Sequence, residues 1–311
     1  MSGSELTGTI VPLVTPFTAE DAFNPSGMRR LITYVLDQGA DGIMTTALTG
    51  EGPLLTEEET LIVWDAVFDT LSDQLPIVPA IISTTTQRAI RLVQRAETAG
   101  AAAVMVAPIV PELYAGRSHD DVYAFYAEIA NVTSLPIILF NYPSLTGVDF
   151  IPELVHRLTE IGNIRYIKES TGDTKRVHGL HRLVGSRISV ICGAPNVALE
   201  SLSLGCRAWI TGTMNVVPRS AQQLMRAVHS GDLEIARRIY YTQILPIVDV
   251  MARNYNPTGT IKAGIRARGV DVGTPRRPGN DVNATDRKHL AELITTITRA
   301  EQDIEAMLNN S

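Results

Sequence analysis

The chain has 311 residues, 45% of them hydrophobic and 19% charged, with a net charge of −6. That length fits two ordinary domains or one large α/β barrel, and the acidic balance leaves no basic surface for nucleic acid or acidic membranes. No segment approaches the roughly 20 apolar residues that span a bilayer, and Met1-Ser2-Gly3-Ser4-Glu5 lacks the basic-then-apolar pattern of an export signal, so a cytoplasmic enzyme is expected. Cys192 and Cys206 are too few for a disulfide framework and lack metal-ligand spacing, which makes both reduced core residues.

Short β-rich runs alternate with longer amphipathic stretches. The predicted strands are Ile10 to Val14, Gly42 to Thr46, Ile77 to Ile81, Ala103 to Ala107, Ile137 to Asn141, Ile164 to Lys168, Ile188 to Cys192 and Ala208 to Thr211. Between them, Gly27 to Gln38, Glu57 to Leu71, Gln87 to Ala99 and Asp120 to Asn131 place apolar residues at three- and four-residue spacing, the period of a helix. Eight strand-helix units predict an α/β fold, a (β/α)8 or TIM barrel over residues 1–230, where a doubly wound sheet would stop at five or six strands. Residues 231–311 then read as a C-terminal helical extension, with helices at Gly231 to Arg253 and Thr285 to Met307 joined by the Pro- and Gly-rich stretch Gly269 to Gly279.

Chemistry in such barrels sits at the C-terminal ends of the strands. Metal ligands are scarce there: of the six histidines all but His119 fall within helix or far beyond the barrel, His119 begins a helix, and His178 and His181, three apart, share one face of an outer helix as a solvated pair. No Gly-x-Gly-x-x-Gly follows a strand and no phosphate-binding loop is present, so neither a metal nor a cofactor is expected. What does stand at a strand tip is Lys168, ending Ile164-Arg165-Tyr166-Ile167-Lys168 and followed by Glu169-Ser170-Thr171-Gly172-Asp173. Lysine occurs only at Lys168, Lys175, Lys262 and Lys288. A desolvated lysine can attack a carbonyl as a neutral amine, which arginine cannot; the alternative is a strand-end lysine paired with Glu169 or Asp173. After strand 2, Thr49 and Gly50 form a turn able to aim backbone N–H groups and a hydroxyl at a small anion. Thr56 and Glu59 downstream fit a capping box, which leaves Thr49-Gly50-Glu51 without a helix-entry explanation.

Thr49-Gly50-Glu51 with Leu55-Thr56 and Glu58, Phe140-Asn141-Tyr142-Pro143 with Thr146-Gly147, and Ile167-Lys168-Glu169-Ser170-Thr171-Gly172-Asp173 together resemble the dihydrodipicolinate synthase and N-acetylneuraminate lyase family. Gly8-Thr9-Ile10-Val11-Pro12-Leu13-Val14-Thr15-Pro16-Phe17 and Asn215-Val216-Val217-Pro218 extend the resemblance over nearly the whole chain. It implies a class I aldolase-type barrel, usually a homotetramer, in which Lys168 forms a Schiff base with pyruvate or another 2-oxo acid, Thr49 and Gly50 hold the carboxylate, and Ile210 lines the same pocket.

The departures are specific. The family tyrosine that serves as general acid and base is Phe140, and its two hydroxyl partners match Leu48 and Val110. The arginine that receives a second carboxylate in the synthases matches Leu145, and Gly193-Ala194-Pro195-Asn196 lacks the acidic pair of the sialic acid lyases. Tyr142, two residues from Phe140 and so able to return to its face of an extended strand unless the turn at Pro143 intervenes, Tyr114 and Asn196 are candidate replacements for polar contact; for Tyr142 the favoured reading is a filler of the barrel rim. The expectation is a Schiff-base lyase acting on pyruvate or a 2-oxo-3-deoxy acid, with catalytic positions Lys168, Phe140 and Tyr142 and substrate-binding positions Leu48, Thr49, Gly50, Glu51, Gly193 and Ile210. Glu51 is also a candidate carrier of protons in place of the missing tyrosine. The alternative is a 2-oxo acid binding or regulatory protein that keeps the barrel without turnover.

Overall fold

The computed structural model describes residues 5–71, 74–108, 117–254 and 256–308. Eight strands follow one another around a closed barrel in sequence order: β1 (Gly8–Pro12), β2 (Gly42–Thr45), β3 (Ile77–Ser83), β4 (Val104–Pro108), β5 (Ile137–Asn141), β6 (Ile164–Glu169), β7 (Ser189–Cys192) and β8 (Ala208–Trp209). Helices α1 (Pro25–Asp37), α2 (Glu57–Leu71), α3 (Thr86–Thr98), α4 (His119–Ala130), α5 (Pro143–Thr146), α6 (Pro152–Leu158), α7 (Thr174–Val184), α8 (Ala198–Ser203) and α9 (Pro218–Ser230) alternate with them; α10 (Leu233–Ile239), α11 (Leu245–Arg253), α12 (Pro257–Ala267) and α13 (Ala284–Leu308) complete the chain. The predicted TIM barrel with further C-terminal helices is the fold observed. Two compact units divide it: Met1–Thr7 with Pro76–Trp209, and Gly8–Leu75 with Ile210–Ser311. No helix among the described residues is long and apolar enough to cross a membrane.

In the first unit β3 to β8 pair in parallel. Their sequences are nearly continuous apolar runs rather than alternating ones, as expected of parallel strands covered on both faces; all seven residues of β3 are buried. The β5–β6 ladder shifts between Ile137↔Ile164 and Ile138↔Tyr166, leaving Arg165 unpaired and exposed. An extra residue of this kind changes which side chains face inward beyond it. Downstream of the shift Phe140 lies opposite Lys168, and Asn141 opposite Glu169.

In the second unit β1 pairs with β2 in parallel. The predicted strand over Ile10 to Val14 ends earlier, because Val14 N–H leaves the ladder for the side chain of Asn215, 3.1 Å away. Asn215 is fully buried and also donates to the carbonyls of Pro12 at 2.8 Å and Gly212 at 3.1 Å. Thr46, predicted as strand, adopts a left-handed φ of 54° and ends β2. The single helix predicted from Gly231 to Arg253 is instead α10, a π-turn over Tyr240–Ile244, and α11. Pro246 has no N–H to give its i−4 carbonyl, and Leu245 N–H reaches back to Tyr240, as in the wider π geometry. Sequence periodicity missed α12, where Gly259, Gly264 and β-branched residues dilute the helical signal although Asn256-Pro257 marks its start.

Asn215→Ala should leave the Val14 N–H and the Pro12 carbonyl buried without partners, each costing about 1–3 kcal/mol. The expected result is a loss of about 2–6 kcal/mol in urea unfolding. A loss below about 1 kcal/mol would show that the strand ends do not depend on this side chain.

Candidate active site

Lys168 is buried, 8% exposed, near the end of β6. Its Nζ lies 4.7 Å from the centroid of the Phe140 ring on the neighbouring strand, and Phe140 is itself buried. Burial pushes the Lys168 amine down to about 8; the neighbouring Cys192 opposes this. An ammonium gains roughly 0.5–2 kcal/mol over an aromatic face, and here desolvation outweighs it.

The acids nearest in sequence are engaged elsewhere. Glu169 accepts from Asn141 Nδ2 and from Thr171 N–H, both at 2.7 Å, and burial raises its pKa. Asp173 caps α7 through Lys175 N–H at 2.9 Å. Among the described residues Lys168 has no ion pair, so the reading of a strand-end lysine paired with Glu169 or Asp173 does not hold. Asn141 also accepts from Phe150 N–H at 3.1 Å, which fixes the loop after β5. Gly193 gives the lysine its room: a Cβ there would stand 3.0 Å from Lys168 Cγ and collide with Ser170 Oγ. The glycine's own N–H is held by the Glu169 carbonyl at 2.8 Å.

Tyr142 is 39% exposed and meets Phe140 edge to face, with ring centroids 6.0 Å apart. It therefore does return toward Phe140, although Pro143 ends the strand and begins α5. Leu145 is exposed, and Asn196 is exposed beside Gly172. Val110 and Tyr114 lie outside the described residues.

The second unit carries the Thr-Gly-Glu turn. Leu48 and Thr49 are half-buried and Gly50 is buried. Glu51 N–H is held by the Leu48 carbonyl at 2.9 Å and Gly52 N–H by that of Ala47 at 3.0 Å, whereas the N–H groups of Thr49 and Gly50 and the Thr49 hydroxyl have no partner among the described residues. Three donors in two residues can serve one small anion. Gly50 is locked from behind: its carbonyl accepts the Thr15 hydroxyl at 2.6 Å, and a Cβ would stand 2.8 Å from the Leu13 carbonyl oxygen. Ile210 is fully buried, and two residues on, a Cβ at Gly212 would lie 3.1 Å from Thr49 Oγ1.

Glu51 differs from its expected part. One oxygen lies 2.6 Å from Lys262 Nζ and the other accepts Arg276 N–H at 2.8 Å. With both oxygens engaged, it anchors the turn instead of carrying protons or contacting substrate. Lys262 and Arg276 are the residues that sequence reasoning missed here; the signal available was the rarity of lysine. Thr56 and Glu59 form the predicted capping box, with reciprocal bonds of 2.9 and 3.1 Å, and Glu59 additionally binds Arg276.

An eight-stranded barrel whose sixth strand carries near its end a buried lysine of lowered basicity, without an ion pair among the described residues, has the architecture of a lysine-dependent lyase. The chain belongs to the dihydrodipicolinate synthetase family, whose model matches residues 5–297, and members of the family are class I lysine Schiff-base lyases. It is 33% identical over 288 residues, 92% of this chain and 97% of the relative, to the 4-hydroxy-tetrahydrodipicolinate synthase of Thermodesulfovibrio yellowstonii. A Pseudomonas aeruginosa protein crystallised as a candidate dihydrodipicolinate synthetase superposes with a TM-score of 0.90 at 33% identity, covering 94% of this chain and 100% of that one. A dihydrodipicolinate synthase from Acinetobacter baumannii, solved with pyruvate, superposes at 0.88 and 26% identity, covering 94% and 99%.

Only the neutral amine can attack a ketone, so the reactive fraction of Lys168 should fall about tenfold per unit of pH below about 8 and level off above it. The measurement is the initial rate of adduct formation with dilute pyruvate, quenched with borohydride and read by intact mass. A rate that stays flat between about pH 6 and about pH 10 would contradict the assignment.

Proposed function

We propose that this protein is a Schiff-base lyase acting on pyruvate or a small 2-oxo-3-deoxy acid, by aldol cleavage or by elimination. The observation that carries the reading is the Lys168 amine, buried, without an ion pair among the described residues, and lowered by burial to about 8. In this reading the amine adds to the C2 ketone, water leaves, and the resulting iminium withdraws electrons from the bond at C3. Thr49 and Gly50 hold the carboxylate with their free donors, and Leu48, Phe140, Gly193 and Ile210 line the rest. No metal or cofactor takes part, and the assembly is a homotetramer in the cytoplasm.

The relatives are named as synthases, and the departures argue against a condensation of two substrates here. Phe140 stands at the position of the family's acid-base tyrosine, and a lost acid-base group costs about 3–5 kcal/mol, or 10² to 10⁴ in rate. Leu145 stands where an arginine would hold a second carboxylate, removing charge-assisted hydrogen bonds worth about 1.5–3 kcal/mol. Tyr142, with its ring on Phe140 and its face open to solvent, is the candidate to return a hydroxyl. A second reading, a 2-oxo acid binding protein that forms the imine and stops there, draws on the same missing hydroxyl.

Lys168→Arg should abolish the borohydride-trapped pyruvate adduct while leaving the protein folded; an adduct that persists on another lysine removes the assignment. Wild-type enzyme given pyruvate and aspartate semialdehyde should form the imine and almost no condensation product. Turnover near the typical 10 per second, to order of magnitude, would establish a synthase instead. Among 2-oxo-3-deoxy acids, turnover by any one separates the lyase from the binding protein.

A further inference from the structure

The Thr-Gly-Glu turn does not hold its shape alone. Glu51 sits at a left-handed φ of 56°, a strained conformation for a residue with a side chain. Its carboxylate is buried, 6% exposed, and meets Lys262, which is 0% exposed. Burying two charges costs several kcal/mol per ion unless geometry and further hydrogen bonds compensate. The compensation is visible: Lys262 Nζ is 2.6 Å from Glu51, donates to the Thr274 carbonyl at 2.9 Å, and lies 4.5 Å from the centroid of Phe17. The Arg276 guanidinium lies 4.4 Å from the same ring centroid. Arg276 N–H holds the second Glu51 oxygen, and its guanidinium reaches the Leu54 and Asp21 carbonyls and both oxygens of Glu59. Cations from α12 and from the segment after it thus hold both ends of the 49–59 loop, one at Glu51 and the other at Leu54 and Glu59.

Such an arrangement is costly if its only purpose is stability, since a buried ion pair is often replaceable by apolar residues at no loss. What it fixes is position. Glu51 follows directly on the two residues whose amides find no acceptor among the described residues, and its own N–H closes the turn back onto Leu48. Donors aimed at an anion act through geometry, and a displacement of about 1 Å is enough to weaken them.

We propose that Lys262 is a positioning residue for substrate: through Glu51 it holds the Thr49 and Gly50 donors in the geometry that grips the carboxylate of the 2-oxo acid, and thereby sets affinity for that carboxylate without touching it. This rests on the reading of Thr49 and Gly50 as the carboxylate site. Lys262 then governs the half-saturating concentration of the acid, while the rate of imine formation at saturation belongs to Lys168.

The test uses full-length wild type, Lys262→Met, Glu51→Gln and the double variant, which leaves no unpaired charge buried and remains available if Lys262→Met alone does not fold. Trapping is measured against concentration for pyruvate and for pyruvamide, its neutral isostere. Wild type should prefer pyruvate; each variant should raise the half-saturating pyruvate concentration about tenfold or more, change the saturating trapping rate less than about threefold, and leave pyruvamide unaffected. If wild type traps both ketones equally, the carboxylate reading of the turn fails and this inference fails with it. If wild type prefers pyruvate and the folded double variant keeps that preference, Lys262 is structural only and the inference alone is overturned. A saturating rate that falls while half-saturation stays fixed overturns it equally.

Discussion

An amine buried with no carboxylate beside it is the constraint from which the site follows. Removing a charged lysine from water disfavours its protonated form, and a carboxylate within reach would oppose that effect by favouring the ammonium. The fold therefore keeps acids occupied: Glu169 by Asn141 and Thr171, Asp173 by its helix cap. The face left for Nζ is the Phe140 ring, a neighbour too weak to offset burial. Gly193 matters for the same reason, since any side chain there would press on the lysine stem and disturb its surroundings.

Lys262 is in the opposite situation with the same chemistry. It too is desolvated and lowered to about 8, but Glu51 opposes that effect at 2.6 Å. One barrel thus carries two buried lysines, one stripped of its counter-ion and one given it. The difference lies in their surroundings: beside the first stands an aromatic ring, and beside the second a carboxylate and a carbonyl that accept from it.

The barrel and Lys168 were legible in the sequence because both are local. Eight apolar runs announce eight strands wherever they pair, and a rare lysine at the tip of one needs no partner to be noticed. Glu51 was misread because its neighbours in the chain, Thr49 and Gly50, look like an anion site, and its true partners are more than two hundred residues away. Gly50 is held in the same distant way: a Cβ there would stand 2.8 Å from the Leu13 carbonyl oxygen, so a bulky residue would strain the backbone. Helix α12 was hidden by its own glycines and was recoverable only from Asn256-Pro257.

The scarcity of lysine has a further use. Lys175 and Lys288 are exposed, whereas Lys262 is sealed from solvent. Among the four lysines, Lys168 therefore combines partial access with lowered basicity, which favours the neutral amine that acylating reagents attack. This chemical sparseness would let acylation of the purified protein be assigned lysine by lysine, and the protection that a competing acid confers on Lys168 alone would report occupancy of its surroundings.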